Sequence, residues 1–193
     1  MNKLQYGVNG FIILLIFGCT KAPVLDVYSF DLTTVPVVSH SKYRNKSIKL
    51  TYPKSLKESV TQKMRFSYSY NDRGLYQNSE WSNNISKLLQ GTFIEVLSNA
   101  KLFKAVLFDT STVHEDYRLE STIFAFEHRV RGTLSTAFIS IQFTLIDTNT
   151  GHLIKSKRFS YSEPTQSIDA KGYAFATNRA LTRLSKDLIH WMK

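Results

Sequence analysis

The longest regular alternation in the chain runs from Thr133 to Asp147, with Ala137, Ile139, Ile141, Phe143 and Leu145 on one face. A period of two sends every second side chain to the same side, so this segment is a strand whose apolar face needs cover. Asp147-Thr148-Asn149-Thr150-Gly151 reads as a hairpin turn, and Leu153 to Tyr161 as the returning strand, with Leu153, Phe159 and Tyr161 on one side. The charged Lys155, Lys157 and Arg158 suit an exposed or edge position on that strand.

The cover comes from two stripes of helical period. Trp81, Ile85, Leu88, Leu89, Phe93, Val96 and Leu97 recur at steps of three and four, with Ser79 as the expected N-cap and Asn99 as the C-terminal cap. Ala170, Tyr173, Ala174, Thr177, Leu181, Leu184, Leu188 and Trp191 form the second stripe, opening at Asp169. Shorter strands are expected over 26–32, 47–51, 62–70, 102–108 and 117–125, with Pro53 ending the second and a turn at Asn71-Asp72-Arg73-Gly74. There Gly74 would supply a positive φ. Together these elements predict an α+β domain, an antiparallel sheet of about six strands with two long amphipathic helices packed on one face. Phe124 and Phe126 lie opposite the Leu119 and Ile123 face; they either pack under a helix or form an exposed apolar patch.

Lys3, the apolar run from Gly10 to Phe17, and Gly18 before Cys19 have the order of a secretory signal peptide. The run is about half of the roughly 20 residues that a membrane-spanning helix needs. Ile16-Phe17-Gly18-Cys19 resembles a bacterial lipobox, which makes Cys19 the lipidation site and the new N-terminus. Thr20 follows, where an aspartate retains enteric lipoproteins in the inner membrane, so the analogy points to the outer membrane. The expected division is a signal peptide over 1–18, a lipidated tether over 19–25 and one α+β domain over 26–193. Cys19 is the only cysteine, so no disulfide supports the fold.

The formal net charge of +10 fits nucleic acid in a cytosolic protein, but export redirects it to phospholipid headgroups, lipopolysaccharide phosphates or an acidic protein face. Arg129, Arg131, Lys155, Lys157 and Arg158 are the candidate contact residues; a plain solvated edge strand is the competing reading. His40, His114, His128, His152 and His190 are scattered without metal-ligand spacing, and His114-Glu115-Asp116 reads as a solvated loop. No nucleophile elbow, phosphate loop or dinucleotide fingerprint occurs. The chain therefore offers no catalytic residue, no metal site and no cofactor, and a homo-oligomer stays open.

Four features together resemble the ABC-type transport auxiliary lipoproteins, which accompany MCE-type lipid transport systems in Gram-negative envelopes. They are Cys19 followed by Val27-Tyr28-Ser29-Phe30; Ile48-Lys49-Leu50 leading to Pro53 and Leu56; Tyr76 with the Trp81–Leu97 stripe; and the Asn149–Gly151 hairpin running into Asp169–Trp191. The resemblance implies a non-catalytic accessory lipoprotein at the outer membrane, facing the periplasm, with an MCE-domain protein as partner. A lipoprotein assisting lipopolysaccharide or outer-membrane complex assembly is the alternative.

Overall fold

The computed structural model describes residues 23–32, 36–55 and 61–193. Cys19, the signal peptide expected over 1–18 and Leu56 lie outside the described residues. Two strands dominate: β7 (Tyr117–Arg131) and β8 (Leu134–Asp147), antiparallel over their whole length, with β9 (Leu153–Pro164) on the far side of β8. The other edge of β7 is shared by three short strands in succession, β2 (Ser47–Leu50), β3 (Lys54–Ser55) and β4 (Lys63–Ser67), all parallel to it. Pro53, which has no N–H to donate, falls between the first two.

Beyond β7 the sheet branches. One arm adds β6 (Ala105–Phe108), parallel to β2; the other adds β5 (Arg73–Trp81), antiparallel to β4, and then β1 (Asp26–Tyr28), parallel to β5. The expectation of an antiparallel sheet of about six strands under two long helices is thus overturned: among the described residues the sheet is mixed and has nine strands. Alternation reports which face a side chain takes, and carries no information on the direction of the neighbouring strand.

Helix α1 (Ile85–Ala100) starts four residues after Trp81, which ends β5 and is not helical. Its N-cap is Asn84, whose side chain accepts from the Ser86 N–H, and Lys101, at φ 55°, closes it. Neither Ser79 nor Asn99 caps it. Trp81 and Ile85 share one core across the strand–helix boundary, so the apolar stripe hid the boundary. Gly74 lies inside β5, where the Phe66 ring covers it so closely that an added Cβ would stand 2.4 Å from Cζ. Its smallness, and no turn geometry, is what that position uses.

Helix α2 (Ala170–Met192) is capped by Asp169, which accepts from the Gly172 N–H at 2.6 Å. The core forms where Phe93 of α1 meets Phe143 edge-on at 5.1 Å, Tyr173 of α2 meets Trp81 at 5.5 Å, and Trp191 meets Phe159 at 6.1 Å. Ile139, Ile141, Phe143 and Leu145, on the predicted face of β8, are fully buried there.

Candidate functional site

The face of β7, β8 and β9 that points away from Phe143 is shaped by one irregularity. Pairing with β8 shifts between Ile123 and Ala125, which places a β-bulge at Phe124. Before the bulge Leu119, Ser121 and Ile123 are buried; after it Phe126, His128 and Val130 are. The extra residue settles the two readings of the phenylalanines separately. Phe126 enters the core beside Trp81 and Phe30, while Phe124 stays on the outer face, partly exposed.

Each aromatic ring on that outer face carries a guanidinium. The Arg158 carbon lies 3.2 Å from the centroid of Phe124, and that of Arg129 lies 3.4 Å from the centroid of Phe138. Arg129 also donates to Glu127 at 2.7 Å. Between the pairs lie Ser140 and Ser160, hydroxyl to hydroxyl at 2.8 Å; Gln142, opposite Arg158, donates its amide to Ser156 on the side away from Phe138. A guanidinium held flat on a ring keeps its N–H edge in one plane, the geometry that matches a carboxylate or phosphate.

The five basic residues grouped in the sequence do not form one patch. Arg129 and Arg158 share the outer face. Lys155 and Lys157 stand in register with Leu145 and Phe143 on the other face. There Lys155 donates to the Trp191 carbonyl over that residue's ring, and Lys157 sits 4.8 Å from the Phe159 ring. Arg131, at the β7–β8 tip, donates to the carbonyls of Ser67 and Val130 at 2.8 Å.

His114-Glu115-Asp116 is not a solvated loop throughout. The Glu115 carboxylate is buried and takes Lys49 at 2.6 Å and Arg118 at 2.7 Å. Burial alone would push its pKa up, but the bonds from Lys49 and Arg118 outweigh it and hold the group at about 2. Asp116 accepts from the Ser47 N–H at 2.8 Å and from Lys46, which also holds it at about 2. The two carboxylates pin the start of β7 to β2.

Two features escaped the sequence reading. The first is a buried polar relay: Tyr76 hydroxyl to His128 Nδ1 at 2.7 Å, His128 Nε2 to Ser135 Oγ at 2.5 Å, and Thr165 hydroxyl to Ser135 Oγ at 2.6 Å. His128 has no exposed surface, and burial lowers its pKa to about 4, against a smaller opposing pull from Asp169. Its alternation with Phe126 and Val130 was the available signal. The second is a groove of about 510 Å³ along α2, lined by Phe175, Asn178, Arg179, Arg183, Asp31 and Glu163. Phe175, half exposed and off the apolar stripe, was its signal. Among the described residues no group of three His, Cys, Asp or Glu stands close enough to hold a metal ion, and no helix is long and apolar enough to cross a membrane.

Solved structures share this branched mixed sheet with helices placed as α1 and α2 are. The chain is similar to protein XCC0632 from Xanthomonas campestris, at 18% identity and a TM-score of 0.77, over 86% of this chain and 93% of that one. It is also similar to an uncharacterized protein, at 13% identity and a TM-score of 0.68, over 88% and 99%. A third, the hypothetical protein CT253 from Chlamydia trachomatis, is 8% identical with a TM-score of 0.51, over 76% and 94%. At these identities the likeness is one of fold. No curated protein matches. The family model of the ABC-type transport auxiliary lipoprotein component matches residues 39–188, and the chain belongs to that family. Membership makes it an auxiliary component associated with a transporter and anchored at a membrane of the cell envelope.

Proposed function

We propose that the protein is a non-catalytic accessory lipoprotein of an MCE-type phospholipid transport system, anchored in the outer membrane and facing the periplasm. The family match over 39–188 carries this reading. In it, residues 1–18 are removed as a signal peptide, Cys19 bears the acyl chains, 19–25 form the tether, and 26–193 fold as one domain. Two or more acyl chains anchor stably where one holds only marginally. The flat guanidiniums of Arg129 and Arg158 support contact with anionic headgroups or an acidic face of the partner; Arg131, Lys155 and Lys157 lie outside that surface. Crosslinking in intact envelopes, followed by capture of the protein, tests the assignment. Recovery of an MCE-domain protein is expected. Recovery of an outer-membrane barrel in its place would favour a role in lipopolysaccharide or outer-membrane complex assembly.

A further inference from the structure

We infer that the sheet end formed by the β4–β5 and β7–β8 hairpin tips is a second membrane contact, seated on the headgroups of the bilayer that holds the acyl chains. The inference rests on acylation of Cys19.

Strand direction is the first observation. β1 runs parallel to β5, with Asp26 opposite Ser79 and Tyr28 opposite Trp81. The chain upstream of Asp26 therefore enters from the side where β5 begins, at Arg73. Reach agrees with direction. The seven residue steps from Cys19 to Asp26 can span about 25 Å when extended. The six residue steps from Ser79 back to Arg73 measure about 20 Å along a strand. An anchor at Cys19 is long enough to meet the bilayer at the level of the β4–β5 tip.

The second observation is what the tips display. β4 runs beside β7 in parallel, Ser67 opposite Arg129, so the β4–β5 turn and the β7–β8 turn lie at the same end. Arg131 ties them by its bond to the Ser67 carbonyl. Tyr70 is 80% exposed, Leu134 74% and Tyr68 51%. Arg73, Arg129 and Arg131 stand at the strand ends beside these turns and Arg65 two positions further along β4, against Asp72 and Glu127, the latter paired with Arg129. Arg73 lies over the Tyr70 ring, 5.4 Å from its centroid, and donates to its carbonyl. Exposed tyrosine and leucine at hairpin tips suit the boundary between headgroups and acyl chains, and arginine suits the lipid phosphates. An anchor within reach of this end assigns the excess of arginine over carboxylate to an anionic leaflet and not to an acidic peptide.

The test uses the full acylated protein in vesicles of phosphatidylethanolamine and phosphatidylglycerol containing nitroxide-labelled lipids. A thiol-reactive fluorophore is placed through Tyr70→Cys or Leu134→Cys at the tips, and through Asn149→Cys at the opposite turn. Cys19, once acylated, does not react. Quenching at 70 and 134, and none at 149, is the expected result. Acylated protein whose probes at 70 and 134 are quenched no more than at 149 would overturn the contact, whatever protein partner then occupied the tips. A mass spectrum showing a free thiol at Cys19 would overturn the anchor itself, and the orientation with it.

Discussion

His128 lies flat on Tyr173, with ring centroids 5.1 Å apart and planes 4° from parallel. The contact joins β7 to α2, and the two ring nitrogens reach Tyr76 on β5 and Ser135 on β8. One imidazole thus fastens four elements. A hydrogen-bonded neutral ring costs little to bury, whereas a charged one without a carboxylate partner costs several kcal/mol.

That cost predicts a pH dependence. The folded pKa of about 4 lies below the ordinary 6.5, so the unfolded chain binds more protons between the two values. The His128 contribution is present in full above pH 6.5 and is lost as pH falls through that value towards 4. Between pH 7 and 5 this group should remove about 2 kcal/mol of stability. Urea unfolding midpoints across that range should show the loss, and His128→Gln should abolish that part of the slope.

Glu115 supplies a separate window. With a folded pKa of about 2 against an ordinary 4.5, its contribution is present above pH 4.5 and is lost as pH falls from there towards 2. Removing one member of a buried ion pair strands the other: Arg118, 43% exposed, keeps its water, but Lys49, 14% exposed, is left with its charge largely buried. Glu115→Gln should therefore destabilise by about 2 kcal/mol at neutral pH, read from thermal unfolding.

Two helical glycines should respond with opposite signs. Alanine gains about 1 kcal/mol over glycine inside a helix. An alanine methyl at Gly91 meets nothing within 4 Å, so Gly91→Ala should stabilise by roughly that amount. The same methyl at Gly172 would stand 2.3 Å from the Ser167 carbonyl oxygen, a backbone atom in the loop that leads into α2. Overpacking of this kind costs about 1–3 kcal/mol, so Gly172→Ala should destabilise despite its helical position. Paired denaturation curves decide both signs.

The anchor is tested directly. Cys19→Ser should abolish labelling by radioactive palmitate and move the protein from the membrane to the soluble fraction. Unchanged membrane retention would count against acyl anchoring.

How much was legible follows from what periodicity encodes. The β8–β9 hairpin and both helices were visible because each has a long apolar stripe to bury. The branching was not, because β2, β3 and β4 are short and nothing in their pattern says that they share one edge of β7. Trp81 reads from the sequence as an apolar anchor of a helix, since its spacing to Ile85 is helical although a strand end and a loop separate them. Arg129 and Arg158 were separable from Lys155 and Lys157 only once the register was known. His128 has no metal-ligand spacing to match, and only its alternation with Phe126 and Val130 marks it as an inward-facing residue.

The bulge at Phe124 splices two halves of a single strand that are out of phase. Loss of that codon would restore strict alternation and turn nothing over, because Ile123 and Ala125 already stand opposite Ile141 and Ser140. Drawing Phe124 into the ladder opposite Ser140 would instead rotate everything beyond it by half a turn, so that Glu127 and Arg129 faced the greasy interior and Phe126, His128 and Val130 faced water. The strand can therefore spare this residue but cannot straighten around it.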